Sequence, residues 1–291
     1  MEDFLVFFVT RLVGIVVILA VGIYILQAVR ILYIHPYLVY RPTRKLEGTP
    51  RRAGLEYREI FFKTKDGVLL NAWFIPAEDP KAIALHCHGN SGNISERLDT
   101  IKIYHDMGIS LFLYDYRGYG NSGGKPSEKG TYKDAEAAWY YLVKEMGINP
   151  GDIIITGHSL GGSVAFWLAG KVTPKALIIE GSFTSMTDMG KLFFPHLPIR
   201  LLVRHRYNSM DHLKKVHCPV LIIHSPGDKL VPFYMGRALY RAANPPKRFL
   251  EIHGSHNNAI LDSREEYTKT IMEFIDDING TTSNSIGNEN E

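Results

Sequence analysis

The chain has 291 residues, a formal net charge of +3, 45% hydrophobic residues and 22% charged residues. So small a charge, with no long basic run, excludes a nucleic-acid partner, and the composition is that of a folded chain able to bury one large α/β core. Only two cysteines occur, Cys87 and Cys218, both in apolar strand-like runs, so they are expected as small buried hydrophobes in a reducing compartment, with no disulfide framework.

The first predicted element is a membrane anchor. From Leu12 to Val29, "LVGIVVILAVGIYILQAV" carries no charge and as a helix spans about 27 Å, close to the hydrocarbon core of a bilayer. It is apolar on all sides, unlike a half-buried helix, and Arg11 and Arg30 stand ready to snorkel from its ends. A cleaved signal peptide is the rival, but "MED" is an acidic start and the run is long for such a segment. Arg30, Arg41, Arg44 and Lys45 follow the span and only Arg11 precedes it, which places the main domain in the cytoplasm. The "NIS" and "NGT" sequons at Asn93 and Asn279, usable only on the other side, pull weakly against this. The expected division is an anchor over 1–34, a connector over 35–56 and a folded α/β domain over 57–278, followed by a polar, disordered tail over 279–291.

Within the domain, apolar runs recur at "YREIFF", "VLLNAWFI", "AIALHCHG", "SLFLYDY", "DIIITG", "ALIIEG", "PVLIIHS" and "RFLEI". Helix-like segments separate most of the later ones. Two antiparallel-looking strands followed by strand–helix repeats predict an α/β fold: a mostly parallel sheet covered by helices on both faces. Residues 182–217 interrupt the repeat with a longer, helix-rich insertion containing Pro195 and Pro198, a candidate lid.

The chemistry-bearing motifs fall at strand ends. After the third run, "HCHGN" turns on Gly89 and frees the Asn90 amide to face a cleft. His86 and His88 there lack the carboxylate or cysteine partners of a zinc site, so no metal is expected. "GYGNSG" at 118–123 matches a dinucleotide fingerprint, but Gly124, Lys125 and Pro126 continue a loop where a helix would have to open, so no cofactor is expected. "GHSLG" at 157–161 joins an apolar strand to a small-residue helix, the form of a nucleophile elbow that lifts Ser159 above the sheet. A serine needs a base, and the base needs an acid. Asp228 and His256 follow in that chain order, each just past a strand, with Ser159, Asp228 and His256 the expected catalytic set. Glu180 is the alternative acid and His253 the alternative base, while His158 is expected to point away and pack. The Leu160 and Asn90 amides are the expected oxyanion hole.

Together "HGNSGNISER", "DYRGYGNSGG", "GHSLGGSVA", "SFTSM", "CPVLIIHSPGDKLVPF" and "GSHNN" resemble the α/β-hydrolase superfamily, and more narrowly the membrane-anchored branch of its alpha/beta hydrolase domain-containing proteins. The resemblance spans almost the whole chain. It implies an eight-stranded sheet and the Ser159, Asp228 and His256 triad, but says less about substrate than about fold. One departure is "HSPGD", where many relatives carry His-Gly before the acid loop. The expected activity is serine hydrolysis of an acyl ester or thioester, with lipid or S-acyl groups favoured by the anchor and by the apolar "KLFFPHLPIRLLV". Arg200, Arg204 and Arg206 are candidates for an anionic head group. The alternatives are an idle hydrolase-fold scaffold at a membrane and a serine peptidase; no obligate protein partner is inferred.

Overall fold

The computed structural model describes residues 1–287, with side chains as far as Gly280. It opens with α1 (Glu2–Val39), followed by the short β1 (Arg41–Pro42). Three strands come next: β2 (Arg58–Lys63), β3 (Leu69–Ile75) and β4 (Ala82–Cys87). The short β5 (Ser91–Gly92), α2 (Leu98–Asp106) and β6 (Ile109–Tyr114) lead into α3 (Glu128–Tyr140), which a π-helical turn extends over Tyr141–Glu145. Then β7 (Ile153–His158), α4 (Leu160–Ala169) and β8 (Ala176–Glu180) alternate. The insertion carries α5 (Met186–Phe193), α6 (Ile199–Leu202) and α7 (Ser209–Leu213). The fold closes with β9 (Val220–His224), α8 (Phe233–Ala242), β10 (Lys247–Glu251), α9 (Ala259–Asp262) and α10 (Arg264–Gly287).

All eight expected strands join one sheet in the order β10-β9-β8-β7-β4-β6-β3-β2. β2 and β3 are antiparallel and the rest run parallel from β6 to β10. Covering both faces requires consecutive apolar residues, because neighbours on a strand point opposite ways. Thus Ile153 and Ile155 of β7 join one core with α3, α4 and α8, while Ile154 joins a second core with α2 and α10.

Two expected boundaries move. The helix at the N-terminus does not end at 34 but runs to Val39, because Ile31, His35 and Val39 are buried against the domain and Pro36 sits within the helix. The connector therefore begins at Tyr40. The tail expected from 279 is helical as far as Gly287, as a continuation of α10, whose Tyr267, Ile271 and Ile275 are buried. A helix already nucleated by packing extends at little cost. Residues 288–291 lie outside the described residues. The apolar stretch of α1 is exposed: its most apolar 18-residue window is 0% buried, and it is long and apolar enough to cross a membrane.

Candidate active site

Ser159 lies at the tight turn from β7 into α4, with φ +55° and ψ −117°. Such a backbone costs a non-glycine residue roughly 1–3 kcal/mol, so its surroundings must hold it. The Ser159 N–H donates to the Glu180 carbonyl at 2.9 Å, and the Ser182 hydroxyl donates to the Ser159 carbonyl at 3.0 Å. The flanking glycines have a steric cause. A Cβ on Gly157 would lie 2.5 Å from the Gly161 carbonyl oxygen, and one on Gly161 would strike the Cys87 carbonyl of β4. Only bare backbone lets α4 close against the strands and present Ser159 at their C-terminal edge.

His256 and Asp228 reach that edge from the loops after β10 and β9. His256 Nε2 is 2.9 Å from Ser159 Oγ, and its Nδ1 is 2.6 Å from Asp228 Oδ2. The other carboxylate oxygen accepts the N–H groups of Leu230 and Val231 at 2.9 and 2.8 Å. Burial alone would raise the Asp228 carboxyl; the His256 hydrogen bond and charge and the two N–H donors outweigh it, leaving it below the usual carboxylate range. His224 lies beneath, 3.6 Å from Asp228, donating its Nε2–H to the Val231 carbonyl at 2.9 Å. Burial lowers this imidazole, so it stays neutral and does not compete with His256 for the charge. Ser225, the residue at the "HSPGD" departure, ties the acid loop to the base loop: its hydroxyl donates to the Gly254 carbonyl at 2.6 Å and accepts the Gly227 N–H at 3.0 Å. Neither His224 nor Ser225 was expected from sequence, since their roles depend on loops meeting across the fold.

The alternatives are drawn elsewhere. The Glu180 side chain lies among the buried tyrosines of the opposite face, accepting from the Tyr267 hydroxyl, and burial raises its carboxyl to about 7. His253 is engaged by the Ser263 hydroxyl at 2.9 Å. His158 does not point away: its ring packs 5.1 Å from that of His256 and its Nε2 faces the His256 carbonyl at 3.3 Å. His86 bonds Thr156 at 2.8 Å, while His88 donates to the Gly89 carbonyl at 2.7 Å and packs on Tyr116. Among the described residues no group of three or more His, Cys, Asp or Glu is placed to hold a metal. The "GYGNSG" stretch is a turn closed by Gly118 N–H on the Gly123 carbonyl at 2.8 Å, and α3 opens only at Glu128.

The main-chain amides at the site are free. The N–H groups of Asn90 and Leu160 have no hydrogen-bond partner among the described residues, Leu160 because it opens α4. Asn90 is itself pinned: its side chain donates to the Val39 carbonyl at 3.0 Å, and its carbonyl accepts from Tyr119 at 2.7 Å.

Two compartments meet at Ser159. An apolar one of about 150 Å³ is walled by Ile31, His35, Leu38 and Val39 of α1, by α5 and α6 of the insertion, and by Leu230 and Val231. His35 is buried there with both ring nitrogens unpartnered, stacked 5.6 Å from His205. A more polar one of about 520 Å³ is bounded by Arg41, Arg97, His158, His256 and Asn257, and shares Leu38, Asn90, Ser159, Phe193, Phe194 and Leu230 with the first. Arg200 and Arg206 are not at either; they border a separate depression with Asp188 and Asp211. Arg200 and Arg206 thus lie away from the serine, Arg204 acts on His35 and His205 at the apolar wall, and the cations bordering the compartments are Arg41 and Arg97.

The family model described as serine aminopeptidase, S33, matches residues 78–208. The alpha/beta hydrolase domain-containing protein WAV2 of Arabidopsis thaliana is 34% identical over 266 residues, covering 82% of this chain and 86% of the relative. The uncharacterized protein Rv2307c of Mycobacterium tuberculosis is 37% identical over 211 residues, covering 71% and 75%. Among solved structures, a Pyrococcus furiosus esterase is similar with a TM-score of 0.69 at 20% identity, over 81% of this chain and 98% of that one. The chain belongs to the α/β-hydrolase superfamily.

Proposed function

We propose that the protein is a membrane-anchored serine hydrolase that cleaves acyl esters or thioesters through Ser159, His256 and Asp228. The observation that carries this reading is the unbroken relay of 2.9 and 2.6 Å from Ser159 through His256 to Asp228, beside an apolar pocket. Ser159 Oγ attacks the acyl carbonyl carbon as His256 Nε2 takes its proton. Asp228 holds the Nδ1–H tautomer and offsets the imidazolium charge. The amides of Asn90 and Leu160 receive the oxyanion, each contributing about 3–4 kcal/mol to the transition state. The tetrahedral adduct expels the alcohol or thiol, which takes the proton from His256. Water, deprotonated in turn by His256, then releases the carboxylic acid and restores the serine. No cofactor enters these steps.

The aminopeptidase description of the matching family is the rival. Among the described residues bordering the two compartments there is no Asp or Glu to hold a substrate ammonium, which favours an acyl ester. The exposed apolar run of α1 supports the anchor, and the basic residues after it support a cytoplasmic domain. Hydrolysis of p-nitrophenyl acyl esters by the full chain in mild detergent tests the reading. Ser159→Ala and His256→Ala should each lower kcat by about 10³-fold or more. Undiminished turnover in Ser159→Ala would refute it.

A further inference from the structure

The two compartments are arranged along the axis of α1. Ile31 and His35 border only the apolar one, Leu38 borders both, and Arg41 borders only the polar one. Ile31 lies about 3 Å past the end of the uncharged run and Val39 about 15 Å past it. Headgroups occupy roughly 5–8 Å on each side of the hydrocarbon. The apolar compartment therefore opens at the level of the bilayer surface and the cationic one lies farther out, the order of tail and head in a lipid. The insertion adds exposed apolar side chains nearby, Phe193 beside the compartments and Leu201 on α6.

Two arginines, Arg41 and Arg97, border the outer compartment. Arg97 is half-buried; it donates to the Ser91 carbonyl, its Nε has no partner, and neither it nor Arg41 is ion-paired among the described residues. Three other arginines of the domain are ion-paired, Arg117 with Asp66 and Asp134, Arg248 with Glu273 and Arg264 with Asp106, whereas others such as Arg44 and Arg58 bond carbonyls or a ring instead. The carboxylates that act on Arg97 electrostatically are engaged elsewhere, Glu96 with the Thr43 hydroxyl at 3.0 Å and Asp115 with the Ile94 N–H at 3.0 Å. A guanidinium taken partly out of water with no ion pair, bordering the same compartment as Ser159, is suited to receive an anion.

Resting on the hydrolase reading, we propose that the substrate is an acyl lipid bearing a phosphate or carboxylate on its alcohol side. The chain enters the apolar compartment along α1 from the bilayer, and the anion is held by Arg41 and Arg97. Acylation leaves the acyl group on Ser159 and the anionic alcohol, protonated by His256, in the outer cleft, from which it departs to water before water releases the acyl group as a carboxylic acid.

The test uses the full-length protein in nonionic micelles hydrolysing a neutral p-nitrophenyl ester. Tetradecyl phosphate and tetradecanol, which carry no ester to be cleaved, are added as inhibitors. The phosphate should inhibit at least about tenfold more tightly than the alcohol. That preference should fall about tenfold in Arg97→Gln and in Arg41→Gln, and vanish in the double variant. Arg97→Lys, which keeps a charge, should retain part of it, and Arg200→Gln all of it. Equal inhibition by the two probes, or a preference that survives the double variant, overturns the proposal. So does inorganic phosphate inhibiting as tightly as the alkyl phosphate, since the site then takes a small free anion. Binding of the same probes to Ser159→Ala, read as a rise in Tm, separates the two readings. An Arg41- and Arg97-dependent rise in a protein that cleaves no ester upholds the anion site and removes the hydrolase. Ester turnover with no such rise does the reverse.

Discussion

Glu180 and Asp228 stand at the ends of the adjacent strands β8 and β9, yet their carboxyls are driven in opposite directions. Asp228 collects two N–H donors and an imidazole; Glu180 is buried among tyrosines with one oxygen unpartnered. Because the folded-state value of Glu180, about 7, lies above its ordinary 4.5, its contribution to stability is fully present below pH 4.5 and is lost as pH rises to about 7. Glu180→Gln lacks that slope. Its Tm relative to wild type should therefore rise between about pH 5 and pH 8, by the equivalent of roughly 3 kcal/mol; parallel Tm curves would contradict the assignment. Ser225→Ala should lower kcat about tenfold with little change in KM, because it unties the acid loop from the base loop without touching substrate; steady-state kinetics on a neutral ester read this. The three residues that meet at the candidate site, Ser159, Asp228 and His256, could be singled out in the sequence because each stands near a strand end in a fixed chain order, and the glycines around Ser159 report a local steric demand. Ser225 and His224 were not, since a serine or histidine that bonds a loop 29 or 7 residues away leaves no local signature. The lid arginines misled for a related reason: an unpaired cation and a solvated one read alike until the fold shows which faces the cleft.

At the scale of elements, α1 does two jobs. Its exposed apolar run is long and apolar enough to cross a membrane, and its last two turns wall the pocket beside Ser159. All eight strands were readable, because burial on both faces forces continuous apolar runs. The pocket wall was not, because its partners, α5 and α6, lie about 150 residues farther along the chain and the transition from lipid-facing to protein-facing leaves the helix equally apolar. Leu38 borders both compartments, so a bulky side chain there should shorten the acceptable acyl group. Leu38→Trp should lower the ratio of long-chain to short-chain ester turnover about tenfold, which a chain-length series measures. An unchanged ratio would place the acyl group elsewhere.

In the whole molecule, a helix long and apolar enough to cross a bilayer and an α/β-hydrolase domain share the wall of one cavity. Deleting residues 1–30 removes the uncharged run but leaves Ile31 to Val39, which pack on the domain. The shortened protein should leave the membrane fraction on sedimentation yet keep a cooperative Tm and turnover of short-chain neutral esters. Turnover of esters presented in vesicles should fall, since the pocket no longer rests at the surface that supplies them.

The most direct measurement is mass spectrometry of the full-length protein after reaction with a fluorophosphonate. The relay at Ser159 predicts one phosphonyl adduct, carried by the peptide containing Ser159 and absent from both Ser159→Ala and His256→Ala. An adduct on any other residue, or one that persists in Ser159→Ala, would contradict the account.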